Sequence, residues 1–590
     1  MVATITSRLY RLKKYEIIIS LIFFTSISLV LFHPAINNIL YWGVNIPGNA
    51  VSDQDQYYLI FGITRETLIK YHQLPLWNPY FCGGIPNLAY PVSLSFLSPF
   101  IIPVLLFGEV VGSKFILLSS TIFGMYGMFL LSRHLKFGFF TSYLPPIIFL
   151  FNTKFTFWFI LLGHSPEAAS LCILPWIFLY YLKGLNSKKE LLLGGVFFSM
   201  SIFTSASNLL PFTVIFLTIY ALCESVKTKS LGPLTTLVLL LIITSSISAI
   251  RLLPSYEYMQ VYPRSKHTYH YGGYTAVETL YNALTSNSGL SWNYTAYIGF
   301  IPLFLTLLTL HSEYKKVWPL VVTCLFFILY SIAGEGYSGF YKLLHSLPIL
   351  DMVRDPHVLI VFSIFSIAVL SGTALSRLEK KNKSFVYTLI IIVVVSWVLI
   401  DLLSASLPIV SATYVVTPIA NEQITENRDS SLSMEISDRY IPGTIATSDY
   451  IPYLFNRGRL NCYFPMPVPR AAIPKYDRDT LNPQYRGEAF LLNGGGNATI
   501  IAYSPNIVNV KVSANKNDTL VLNQNFYPGW HTTSIFDDTV HPSNNLISVN
   551  VTSEDKYVNL YYLPLSFVVG SIISILSIVL GFIYVKFYSS

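Results

Sequence analysis

The chain has 590 residues, 53% hydrophobic and only 12% charged, with a mean hydropathy of +0.53. Soluble globular chains carry about 25% charged residues, and hydrocarbon solvates no charge, so this deficit excludes a soluble enzyme and a disordered chain and leaves a polytopic integral membrane protein. The same numbers exclude a small disulfide scaffold, and the five cysteines, at 82, 172, 223, 324 and 462, show no CxxC pair and no histidine spacing suited to zinc.

In chain order, a basic tail (Arg8, Arg11, Lys13, Lys14) precedes the first apolar run, 16–33. That run ends in no small-residue cleavage site and reads as a retained helix. Stretches near the roughly 20 residues that cross a bilayer follow at 115–131, 139–160, 168–182, 190–205, 208–223, 230–250, 296–310, 317–333, 357–376, 384–400 and 564–585. This predicts a mainly α membrane protein of about 12 transmembrane helices. Pro99 and Pro103 interrupt the apolar stretch 94–108, which reads as re-entrant or interfacial.

Cations gather in every second short loop: Arg133 and Lys136; Lys183, Lys188 and Lys189; Lys227 and Lys229; Lys315 and Lys316; Arg377, Lys380, Lys381 and Lys383. This positive-inside alternation predicts a multi-pass protein of the plasma (cytoplasmic) membrane with both termini in the cytoplasm. It also accounts for the net charge of +8 without nucleic acid. The long polar segments 35–93, 251–295, 334–356 and 406–562 then all face outward. Expected units are a transmembrane domain over 1–405 with its first outer loop at 35–93, an extracytoplasmic β-rich domain over 406–562, and a last helix over 563–590. The β reading rests on period-two alternation in NIVNVKVSA, DTLVLNQNF, LISVNVT and YVNLYYL. NGGGN at 493–497 lacks the strand-then-helix context of a phosphate-binding fingerprint and reads as a loop.

The first outer loop carries Asp53 and Asp55. Two carboxylates at i, i+2 point the same way on a strand and diverge on a helix. One is a candidate general base and the other a ligand for a divalent metal or a cationic partner; equally, an aspartate here caps a helix over 56–70. Residues 72–99 are rich in Pro and Gly, hence a shaped loop, with Trp77, Asn78, Tyr80, Phe81 and Tyr90 as lining or interfacial side chains. GHSPEAAS puts His164 and Glu167 at the outer end of a span, where a histidine pairs with a phosphate or orients a carboxylate. Tyr256, Arg264 and Lys266 lie in the next outer segment, and Arg354 lies in LDMVRDPHV. Arginine's planar fork suits a lipid phosphate. The span interiors hold almost no ionisable residue, which gives ion-coupled transport no support.

LPLWNPYFCGGIPNLAYPVSLSFLSP after an acidic loop, MVRDPHVLIVFSI, and LVLNQNFYPGWHTTSIFD ahead of LYYLPLSFVVGSIIS resemble the bacterial YfhO family, of the GT-C glycosyltransferase superfamily, over nearly the whole chain. The sequence departs from that family's pattern at Arg354-Asp355-Pro356-His357, where a second arginine is usual, and at Asp537-Asp538 in place of Asp-Gly. The resemblance implies a GT-C-like fold and transfer of a sugar from a polyprenyl-phosphate donor to an extracytoplasmic acceptor (glycan, lipid-linked polymer or protein) in the cell envelope. It implies Asp53 as the catalytic acid, or Asp55 if the register differs by two. Arg264, Arg354, Lys266 and His164 would meet the donor phosphate, and Trp77, Asn78, Tyr80, Glu167 and Tyr256 would line the substrate; metal dependence stays open. Two alternatives stand beside it: a diphosphate-linked oligosaccharide ligase or polymerase, and a non-catalytic lipid or polysaccharide transporter.

Overall fold

A computed structural model describes residues 15–588 apart from 44, 47–49, 52, 92, 206–208, 264–275, 287–294, 333–338, 348–349, 351–354, 382–383, 416, 420–433, 440–447, 463–467, 479 and 534–538. Long apolar runs become helices because a helix satisfies its own backbone polar groups where lipid cannot. Among the described residues seven helices are long and apolar enough to cross a membrane: Glu16–Asn37 (α1), Glu109–His134 (α2), Leu209–Thr228 (α3), Phe300–Ser331 (α4), Pro356–Lys381 (α5), Phe385–Ser411 (α6) and Leu565–Phe587 (α7). Two bent pairs, Thr141–Leu150 with Phe155–Leu161 and Gly232–Ile247 with Ala249–Val261, raise the number to nine if each is one span. The expected stretches 168–182 and 190–205 are the helices Ser165–Gly184 and Lys188–Thr204, which lie outside that count.

The stretches 296–310 and 317–333 share the hydrogen-bonded helix α4, which changes direction at Glu313 (φ −134°, ψ 17°). Contacts on α5 show the return. Arg377 donates to the Ser312 carbonyl and pairs with Glu313 at 3.6 Å, while Phe327, further along α4, stacks on Phe362 at the other end of α5. The interrupted stretch 94–108 contains only the turn Pro99–Ile101 and the helix Ile102–Phe107. At about 1.5 Å per residue that helix is too short to cross.

The apolar window of α5 is 94% buried, so it is the central post of the bundle, whereas those of α6 and α7 are 17% and 11% buried. Trp397, Ile400, Leu580 and Phe582 on the latter helices stand exposed, and an apolar surface of that extent calls for lipid. The chain is a multi-pass membrane protein.

Towards the C-terminus eight strands form two antiparallel four-stranded sheets: Ala489–Leu491 (β1), Gly496–Ser504 (β2), Ile507–Ala514 (β3), Asp518–Asn525 (β4), Trp530–His531 (β5), Val540–Ser543 (β6), Leu546–Val551 (β7) and Tyr557–Tyr562 (β8). Their orders are β2-β3-β8-β5 and β6-β7-β4-β1. The four alternating segments read from sequence are β3, β4, β7 and β8. In β3, Val508, Val510, Val512 and Ala514 point inward in strict alternation.

The first loop docks against this β-rich part. Trp77 is fully buried, its indole N–H donates to Gln524 Oε1 at 2.7 Å, and its ring lies against Trp530 and Tyr562. Asn506 Oδ1 accepts from the Trp77 backbone N–H, and a Cys82–Cys462 disulfide closes the seam. The disulfide joins residues 380 apart, a pairing the cysteine spacing gave no reason to expect.

Candidate functional site

The helix Gln54–Ile69 begins directly after Asp53. The aspartate stands at the capping position, as one reading of the sequence expected, but its side chain makes no capping hydrogen bond. Its carboxylate instead lies 3.3 Å from His164 Nε2. On the other side of the imidazole, Nδ1 sits 3.7 Å from Glu167 Oε2, an ion-pair distance too long for a hydrogen bond. Asp53 is 40% exposed, whereas His164 and Glu167 are 12% and 5% exposed. The constellation is a buried glutamate, a largely buried histidine and one accessible carboxylate.

Local backbone explains how distant segments meet here. Gly163 has φ +86°, and a Cβ on it would collide with Gln54, so glycine lets the chain pass against the start of the helix with His164 following at once. The preceding residues Phe155–Leu161 form a π-helical turn, a wider turn that recurs at functional sites. It brings the Trp158 ring parallel to His164, with centroids 5.1 Å apart and planes 5° apart. His357 meets the edge of the same indole at 5.1 Å, and Tyr57 approaches His164 at 6.3 Å. Two residues before His357, Asp355 exerts its charge on Lys154, which is fully buried at the break in the helix pair. Sequence reading did not assign Trp158, which lies in the π turn where the register that periodicity relies on is shifted, or Tyr57, whose place in the helix Gln54–Ile69 carries no signal of its own.

Asp55 is not a second accessible carboxylate. It is 5% exposed and accepts from Ser448 Oγ at 2.6 Å, the Asp449 N–H at 2.6 Å and the Tyr450 N–H at 3.2 Å. Burial pushes its carboxyl up to about 6, against those hydrogen bonds and the Arg459 charge, which pull it down. Trp77 and Tyr80 belong to the seam as well: Tyr80 donates to Asn456 Oδ1 at 2.8 Å and meets the Tyr453 ring edge-on. Asn78 is fully buried, and its Oδ1 accepts from the Tyr80 N–H. These three expected lining residues are enclosed because the β-rich part covers the loop that carries them. Tyr256 is 61% exposed on Ala249–Val261. Arg264, Lys266 and Arg354 lie outside the described residues.

Arg251, on the same helix as Tyr256, is fully buried and spends its guanidinium on the carbonyls of Phe203, Pro91 and Ser93, so it shapes the loop after Tyr90 rather than offering a phosphate fork. Among the described residues no group of three His, Cys, Asp or Glu side chains is placed to hold a metal ion.

No protein-family model matches this sequence, and no curated protein matches it. The fold is similar to arabinofuranosyltransferase AftD from Mycobacteria, with a TM-score of 0.47 and 14% identity over 69% of this chain and 28% of that one. It is similar to ArnT from Cupriavidus metallidurans bound to undecaprenyl phosphate, with a TM-score of 0.47 and 9% identity over 74% of this chain and 85% of that one. The Archaeoglobus fulgidus oligosaccharyltransferase in complex with Zn and sulfate gives a TM-score of 0.39 and 12% identity over 75% and 62% of the two chains. The chain thus spans little more than a quarter of AftD.

Proposed function

We propose that this protein is a membrane glycosyltransferase that moves a sugar from a polyprenyl-phosphate carrier to an acceptor hydroxyl outside the membrane, with Asp53 as its base. The observation that carries the reading is the Asp53–His164–Glu167 array, in which the one accessible carboxylate is free of any capping bond and backed by a histidine. The acceptor oxygen attacks the anomeric carbon, the bond from that carbon to the phosphate oxygen breaks, and the carrier leaves as polyprenyl phosphate. Asp53 takes the hydroxyl proton as the new bond forms. His164 orients Asp53, and Glu167 orients His164, in the manner of a base held by a third group.

Arg264, Arg354 and Lys266 are assigned to the charge growing on the leaving phosphate. The Cys82–Cys462 pair supports an outward orientation of 35–93 and 406–562, since disulfides persist in oxidising compartments. With the cationic loops inside, both termini are then cytoplasmic.

The test is release of polyprenyl phosphate from a panel of polyprenyl-phosphate hexoses and pentoses by the full chain in nanodiscs. Asp53→Asn is expected to lower transfer by about 10²-fold or more, the usual contribution of a general base. Full activity in that variant, with normal membrane insertion, would refute the assignment.

A further inference from the structure

We propose that Asp55 is a positioning residue: by gripping the segment 448–462 it fixes the helix Gln54–Ile69 so that Asp53 stands at its working distance from His164. This rests on the reading of Asp53 above.

The helix has two faces with different partners. Asp55, Tyr58, Gly62 and Glu66 follow one another at intervals of three, four and four, and so form a single stripe. Every member of that stripe meets the short helix Tyr450–Leu454 or the residues just before it. Asp55 accepts from Ser448, Asp449 and Tyr450. Tyr58 packs on the Tyr450 ring at 5.5 Å. Gly62 leaves room for Tyr453, whose ring atom Cε1 would lie 2.6 Å from any Cβ placed there. Glu66 accepts from the Tyr453 hydroxyl at 3.2 Å. Asp53 and Tyr57 each stand two residues from Asp55, about 200° around a helix at 3.6 residues per turn, and these are the two that meet His164.

The gripping segment is itself fastened. Arg459 donates through its guanidinium to the Ser448 carbonyl, its N–H donates to the Tyr80 carbonyl, and its own carbonyl accepts from the Gly83 N–H. Cys462 is joined to Cys82. Tyr450 donates to Glu109 at the start of α2. The segment is therefore a rigid peg between the β-rich part and the bundle. Asp55 contributes the part of the grip nearest Asp53, with both its oxygens already engaged. That occupancy is why it serves Asp53 and does not itself take the acceptor proton.

The experiment compares wild type, Asp55→Asn and Ser448→Ala as full chains in nanodiscs. It reads steady-state sugar transfer, amide hydrogen exchange over 54–58 and 448–454, and Cys82–Cys462 formation on a non-reducing gel. Asp55→Asn keeps a carbonyl oxygen for the Asp449 and Tyr450 N–H groups but removes the charge and turns an N–H donor toward Ser448 Oγ, which donates in the wild type. Ser448→Ala removes one bond and leaves the carboxylate. Both are expected to keep the disulfide, to speed exchange in both segments, and to lower kcat with KM for the donor unchanged. The expected loss is about 10- to 100-fold for Asp55→Asn, the scale of a small misplacement of a reacting group, and smaller for Ser448→Ala. Unchanged exchange in Asp55→Asn would overturn the proposal, as would faster exchange with kcat intact, or loss in Asp55→Asn beside wild-type kcat in Ser448→Ala. Full transfer by Asp53→Asn would instead defeat the functional reading, and the exchange data report on the grip regardless of activity.

Discussion

Trp77→Phe separates a seam residue from a substrate-lining one. The indole is fully buried, gives its only polar hydrogen to Gln524 Oε1 at 2.7 Å, and touches Trp530 and Tyr562. Phenylalanine keeps an apolar ring in place but leaves the Gln524 oxygen, itself 3% exposed, without its donor. An orphaned buried acceptor costs about 1–3 kcal/mol, which at about 1.4 kcal/mol per decade opens the seam roughly 5- to 150-fold more often. Amide exchange at the bonds that cross the seam, Asn525 N–H to Gly83 and Gly83 N–H to Arg459, is expected to speed up by that factor while donor KM stays put. Adding Gln524→Leu removes both polar partners and is expected to restore most of the protection, since replacing both ends of a buried bond is nearly neutral. Unchanged exchange together with a raised donor KM would refute the reasoning and return Trp77 to the substrate site.

Cys82→Ser is expected to lose the mobility shift between reduced and non-reduced gels and to cost about 2–5 kcal/mol of stability in the seam between the 72–99 loop and the β-rich part; identical proteolysis of wild type and variant would count against a stabilising bridge. Glu488 gives a pH dependence. It is half-buried in β-rich surroundings, and desolvation raises its carboxyl from an ordinary 4.5 to about 7 despite bonds from the Ile436 N–H, Tyr485 and Asn523. Because its folded value is the higher one, the folded state holds more protons across this window, and stability falls as pH climbs from about 4.5 to 7. The loss is about 3 kcal/mol, and Glu488→Gln is expected to flatten it; a thermal midpoint that rises with pH over that window in wild type would contradict the sign.

Bundle and sheets were legible for different reasons. A helix satisfies its own backbone where lipid cannot, so hydropathy pointed to the long apolar helices. Among the described residues seven of these, or nine with the bent pairs, rather than about 12, are long and apolar enough to cross. Half-buried strands such as β3 write their faces into every second residue. Pro99 and Pro103 stand in the first turns of Pro99–Ile101 and Ile102–Phe107, where a missing N–H is tolerated, and the short helix ends at Gly108, whose φ is +81°. The seam was not legible. Trp77, Asn78 and Tyr80 look alike whether they line a pocket or meet a second domain, because both settings favour large side chains with one polar handle. Cys82 and Cys462 carry no local spacing that pairs them, and the peg's contact with Asp55 uses the backbone N–H groups of Asp449 and Tyr450, which no residue type announces.

The aspartate pair shows where the boundary of legibility falls. Spacing alone left two outcomes: together on a strand, or apart on a helix. The helix begins at Gln54, so the carboxylates part by about 200°, and each meets a different neighbour. Asp53, before the first turn, keeps its exposure and reaches the histidine. Asp55, inside that turn, is covered by the 448–450 backbone and becomes an acceptor for three donors. Two residues identical in type and nearly adjacent thus acquire opposite surroundings, one partly exposed beside a histidine and one committed to the scaffold. Helix phase decides which carboxylate meets which neighbour, and in the positioning role proposed for Asp55 the segment 448–462 is what sets that phase.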